Sequence, residues 1–185
     1  MTLTQAALPA RSLLINTMLV LAGSALLGIS AQVSVPMFPV PMTLQTLVVS
    51  MIGLAYGSRL GAVTVLAYLA EGAMGLPVFA NFSAGIAPLM GPTAGFLWGF
   101  VGMAWLTGLL VERGLDRGFA KLFVAAFIPA LLLFVPGVLV LKLVTGMGWQ
   151  AALMAGMVPF LLGALVKAIV AAMAVTGGWS MLGQR

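Results

Sequence analysis

Between Tyr68 and Phe100 the chain leaves one strongly apolar segment and enters another through a connection that is itself apolar, aromatic and broken by glycine and proline. It reads Gly75-Leu76-Pro77-Val78-Phe79-Ala80-Asn81-Phe82-Ser83, then Gly91-Pro92-Thr93-Ala94-Gly95-Phe96. A loop bathed in water would be polar. Irregular backbone among apolar side chains holds at membrane depth only where protein or a lined cavity covers it, because nothing else satisfies the free amide groups. The stretch therefore reads as a lid or plug over a ligand pocket, with a loose surface loop as the plain alternative.

Composition sets the solvent. Hydrophobic residues make up 63% of the chain and charged residues 6%, where a soluble domain carries about 25% charge. The chain is expected to be an all-α integral membrane protein with six transmembrane helices in a single domain, residues 1–185. It has no cysteine and no histidine, which removes disulfides, thiolate chemistry, imidazole metal sites and imidazole acid–base catalysis. Eight basic residues stand against three acidic ones, but they are dispersed and read as topology signals rather than as a nucleic-acid surface. A phosphate-binding Gly-x-x-x-x-Gly-Lys-Ser/Thr loop is absent, so the chain does not take ATP that way. No inverted repeat with matching broken helices is evident, which argues against a stand-alone secondary carrier.

Span one is expected over Ser12–Ser30, behind Arg11. Its apolar run is too long for a cleaved signal peptide. Pro36, Pro39 and Pro41 then deny a helix its donors, so Gln32–Gln45 reads as extended backbone. Thr43–Tyr56 and Leu60–Ala70 form two short helices, because fusing them would bury Arg59 near mid-bilayer while Gly57-Ser58 offers a turn. Span four is Pro92–Val111, with Pro92 in its first turn. Glu112–Lys121 is the one aqueous loop. Span five is Leu122–Leu141, bent at Pro129 and Pro136, and Lys142–Gln150 turns into span six, Ala151–Val175. Alternating sides puts Arg11, Arg59, Arg113, Arg117, Lys121 and Arg185 together and only Lys142 opposite. The positive-inside rule makes the first side cytoplasmic, with both termini, and sends both apolar connections outward.

Lys167 is the charge left inside a span, apolar on either side. Such a lysine faces a cavity or an acid, or it snorkels to an interface. Glu71, at the outer end of span three, either pairs with it or sits among headgroups. Asn81 offers donors and an acceptor for a planar polar group, or simply forms a turn. Thr43, Gln45, Tyr68 and Thr93 add polar groups at the same face, and Phe79, Phe82, Phe96 and Trp98 supply apolar walls. Trp105, Trp149 and Trp179 read as interfacial belt residues. Small residues on span one (Ser24, Gly28, Ala22, Ala25) and span six (Ala168, Ala171, Ala172) permit close helix approach, within the chain or to a partner helix.

Several of these motifs, in order, resemble the BioY family, the biotin-binding S components of energy-coupling-factor transporters. The resemblance rests on Val35-Pro36 through Pro41-Met42-Thr43-Leu44-Gln45-Thr46, on Gly57-x-Arg59-x-Gly61, and on Tyr68-Leu69 with Gly75-Leu76-Pro77-Val78-Phe79-Ala80. It continues through Gly91-Pro92-Thr93-x-Gly95-Phe96 and Pro159-Phe160-Leu161-x-Gly163-x-x-x-Lys167, and so covers most of the chain. It implies an S-component fold in the bacterial inner membrane, no catalysis and no cofactor. It also implies high-affinity biotin capture at the outer face and delivery inward, by toppling in the bilayer, with a transmembrane T component and two ABC-type ATPase subunits. Asn81 and Lys167 would be the contacts to polar groups of biotin, with Tyr68, Phe79, Gln45 and Thr43 around them. One departure stands out. The family usually has Asp where this chain has Ala164, which leaves Lys167 less compensated, either less readily charged or free for the ligand's own carboxylate. A solitary biotin carrier without the ATPase module is the alternative. A Ser83/Lys167 hydrolase lacks a third orienting group, and a purely structural scaffold leaves Lys167 unexplained.

Overall fold

The computed structural model of the protein describes residues 2–8 and 12–183; Arg11 and Arg185, which the charge count used, lie outside the described residues. The chain is mostly helical. A short α1 (Leu3–Ala7) precedes α2 (Leu13–Gln32), α3 (Gln45–Tyr56) and α4 (Ser58–Ala73). After them come α5 (Ala87–Met90), α6 (Ala94–Glu112), α7 (Phe119–Leu132), α8 (Phe134–Thr145), α9 (Trp149–Gly156) and α10 (Phe160–Met181). The expected proline-rich extended segment is a small antiparallel hairpin. Its strands β1 (Ser34–Val35) and β2 (Met42–Thr43) pair Ser34 with Thr43, a minor departure from an all-helical chain.

Among the described residues, four segments are long and apolar enough to cross a membrane: Leu13–Gln32, Ala94–Glu112, Phe119–Thr145 and Trp149–Met181. Helices α3 and α4, of 12 and 16 residues, reach only about 18 and 24 Å at the usual rise per residue. They meet at Gly57, whose φ of 87° suits glycine. The expected break before Arg59 is therefore where the chain turns.

Proline explains the two places where long spans divide. Pro136 cannot donate to the carbonyl four residues back, and α7 gives way to α8 at Leu133. Pro129, by contrast, is carried inside α7. The expected continuous span six is broken between Gly156 and Phe160, because Pro159 lacks an N–H and biases Val158 away from helix. Pro92 is not in the first turn of α6, which starts two residues later behind Thr93.

Helix α6 is the centre of the bundle, packed against α3, α4, α7 and α8, while α10 lies on α7 and α3 and α2 lies on α4. Close approach depends on missing side chains. A Cβ on Gly108 would stand 2.2 Å from the Gly57 carbonyl carbon and the Ser58 nitrogen. Nearby, Glu112 accepts hydrogen bonds from the Ser58 amide (2.8 Å) and the Ser58 hydroxyl (2.7 Å), so α6 caps the start of α4. Glu112 is thus part of this packing and not loop. Ser24 and Gly28 are buried on α2, and Ala168, Ala171 and Ala172 are buried on α10, so these small-residue faces serve the chain's own packing. Ala22 and Ala25 remain exposed. Trp179 is not a belt residue: it is buried beneath the Arg117 guanidinium, 4.7 Å from the ring centroid.

Candidate ligand-binding site

Away from the α3–α4 elbow the bundle opens into a cavity of about 290 Å³, near the lower end of small-molecule sites. Aromatic rings from four elements wall it: Phe79 from the 73–93 connection, Phe96 and Phe100 from α6, Phe134 from α8 and Phe160 from α10. Helix α10 begins directly after Pro159, and its positions 160, 164 and 167 share one face. The proline break therefore aims Phe160, Ala164 and Lys167 into the same space.

The polar groups converge from the hairpin and α3. Lys167 Nζ donates to the Thr43 carbonyl and to Thr46 Oγ1, 3.2 Å away. An ammonium has three donors, so one remains for a ligand. The Thr43 hydroxyl donates to Gln45 Oε1 (3.0 Å), and Gln45 Nε2 donates to the Tyr68 hydroxyl (2.7 Å). Tyr68 donates in turn to the Val78 carbonyl (3.1 Å), and its ring meets Phe79 edge-on at 5.4 Å. One chain of hydrogen bonds thus links Lys167 to the connection that covers the cavity. Gln45 and Tyr68 are both buried, which makes complete pairing of their polar atoms a condition of the fold.

That connection is a built structure. A 3-10 turn at Ala80–Phe82 places Asn81 against the cavity, and Ser83 Oγ donates to the Ala80 carbonyl at 2.7 Å. A second attachment comes from α2. Gln32 donates to the Phe79 carbonyl (3.0 Å) and accepts from the Phe82 amide (3.0 Å). Beneath it, Gly72 admits the Phe79 ring, whose atoms would stand 2.1 Å from a Cβ there.

Of the residues expected at the site, Asn81, Lys167, Phe79, Gln45 and Thr43 line the cavity, as do Thr93 and Phe96. Tyr68 does not. It stands behind Gln45 as a support. Phe82 and Trp98 face outward, 70% and 52% exposed. Glu71 does not meet Lys167; its carboxylate accepts from Ser24 Oγ on α2 at 2.8 Å. Among the described residues no acid compensates Lys167. Thr46, Phe100, Phe134 and Phe160 belong to the lining and were not singled out. Thr46 ends the Pro41–Thr46 motif, and Phe160 follows the proline that reorients its helix. Phe100 and Phe134 carry no local signal, since apolar positions on a spanning helix look alike from sequence.

Fold and cavity define a mostly helical, multi-pass membrane protein with a protein-lined chamber whose walls are mostly apolar and carry a few polar side chains. The sequence model of the BioY family matches residues 4–184. A biotin transporter BioY of Thermotoga maritima is 38% identical over 150 residues, covering 81% of this chain and 87% of the relative. A biotin transporter BioY of Rhizobium etli is 38% identical over 169 residues, covering 86% and 90%. The chain belongs to the BioY family. Membership places it among transport proteins and not among enzymes, which removes the Ser83/Lys167 hydrolase. Its fold is that of a solved S-component for biotin from an ECF-type ABC transporter, with a TM-score of 0.82 over 91% of this chain and 94% of that one, at 21% identity.

Proposed function

We propose that the protein is the substrate-capture subunit of a biotin uptake system. Biotin occupies the chamber beneath the 73–93 connection, and the chain hands it inward together with a transmembrane T component and two ATPase subunits. The observation that carries this reading is Lys167. Its ammonium has a spare donor and no acidic partner among the described residues, at the edge of a chamber walled by five phenylalanines. Biotin brings an apolar bicycle with a polar ureido edge and, at the far end of its chain, a carboxylate. Asn81 and Lys167 take its polar groups, Phe79 and the other rings take its apolar body, and Thr43, Gln45 and Tyr68 hold the floor in place.

On this reading the whole chain, 1–185, is one domain crossing the bilayer six times, with α3 and α4 as the two short crossings and both termini in the cytoplasm. The end carrying Arg59, Arg113 and Arg117 is then the cytoplasmic end, as the positive-inside rule requires. The cavity opens on the other side, where substrate arrives.

Calorimetry of biotin against the purified chain in detergent tests the site. Biotin is expected to bind with one site per chain, and Lys167→Ala is expected to weaken binding about a hundredfold while the protein stays folded. A folded parent chain that binds no biotin overturns the reading. Biotin methyl ester, compared with biotin, identifies the group that meets Lys167: only a carboxylate contact is lost on esterification. Co-purification with a T component and ATPases, and uptake that stops without them, tests the partnership against a carrier that works alone.

A further inference from the structure

Two consecutive non-glycine residues in the lid turn occupy the left-handed region: Asn81 at φ 57° and Phe82 at φ 55°. Asparagine visits this region with some ease, but for a bulky residue such as phenylalanine it is a strained position. Strain of this kind persists only where neighbouring structure enforces it. The Phe82 side chain does not enforce it, being 70% exposed and outside the cavity lining. The enforcing group is on another helix. The Gln32 carboxamide, at the last position of α2, brackets the turn by donating to the Phe79 carbonyl on one side and accepting from the Phe82 amide on the other. Its Nε2 also reaches the Gly28 carbonyl at 3.2 Å, which fixes the carboxamide against α2. From within, the turn is closed by Phe79 N to Ser83 O at 3.1 Å, by Ser83 N to Ala80 O at 3.3 Å and by the Ser83 hydroxyl on the Ala80 carbonyl at 2.7 Å, and none of these touches the Phe82 amide.

We infer that Gln32, which does not line the cavity, is a positioning residue for ligand capture: it holds the Asn81–Phe82 turn in its left-handed form so that the Asn81 carboxamide faces the bound molecule. This rests on the biotin reading for the identity of the ligand, and on the geometry alone for the role of Gln32. Without the bracket the turn relaxes, the competent form becomes a minor population, and apparent affinity drops by that fraction.

The test pairs Gln32→Met, which keeps length and removes both hydrogen bonds to the turn together with the one to Gly28, with Phe82→Asn, which lowers the strain without touching the cavity. Biotin affinity is expected to fall about tenfold in Gln32→Met, chiefly through slower association, and to recover at least threefold in the double variant. Phe82→Asn alone is expected to bind as the parent does. Unchanged affinity in Gln32→Met overturns the inference, as does a loss that Phe82→Asn leaves unrepaired, because a purely structural role would give the latter. Hydrogen exchange at the Phe79 and Ser83 amides supplies a readout that needs no ligand. Their protection is expected to collapse in Gln32→Met and to return in the double variant. Should the parent chain bind no biotin, the ligand assignment falls. The exchange result still decides whether Gln32 holds the turn, and retained protection in Gln32→Met refutes it.

Discussion

At its C-terminal end α6 lies so close to the α3–α4 elbow that Gly108 has no room for a Cβ, whereas nearer its N-terminus the same helix turns Phe96, Leu97 and Phe100 toward open space. The closed end is made of small or hydrogen-bonded groups: Gly53 under Thr107, Gly108 on Gly57 and Ser58, and Glu112 on the start of α4. The open end is made of rings that prop the elements apart. Even there the helix is not loosely packed, since Gly95 and Gly99 on an adjoining face press against Pro136 and Leu133. The cavity is therefore a walled chamber. One helix ties stability to one end and ligand capture to the other, so substitutions should sort by the end they strike.

The largest expected effect is Gly108→Leu. Its side chain would have to displace main-chain atoms of the elbow, and overpacking against backbone is expected to exceed about 3 kcal/mol. Little folded protein should survive thermal unfolding assays in detergent, while Gly102→Ala, with open space at that position, should melt like the parent. Next comes Lys167→Ala, expected to weaken biotin binding about a hundredfold, about 2.7 kcal/mol, with the melting temperature nearly unchanged. A fall in melting temperature on the same scale would break the division between the two ends.

Ala164→Asp introduces a carboxylate one helical turn before Lys167, inside the chamber. It is expected to tighten biotin binding about tenfold, about 1.4 kcal/mol, as measured by calorimetry. Weaker binding would mean that the lysine's spare donor already meets the ligand's own carboxylate. The smallest effect belongs to Glu112→Ala, which removes the cap on α4. It should lower stability by about 1 kcal/mol and leave the biotin dissociation constant where it was. A change in affinity there would show that the ends communicate.

Composition and punctuation determined the solvent, the helical class and the irregular connections, because exclusion of charge and the missing proline donor act locally, whatever the rest of the chain does. The turn at Gly57 and the candidacy of Asn81, Lys167, Phe79, Gln45 and Thr43 followed from the same local signals, joined to a family resemblance. Tertiary structure decided what those residues meet. Glu71 and Lys167 are both charges on apolar helices, and only packing shows that Glu71 takes Ser24 while Lys167 takes Thr43 and Thr46. Tyr68 and Asn81 read alike as polar groups near one face, yet the first is sealed behind Gln45 and the second reaches the chamber. Phe100 and Phe134 line the wall with no sequence mark at all. Which face of an apolar helix turns inward is fixed by its neighbours, and a span that is apolar all round records no preference in its own residues.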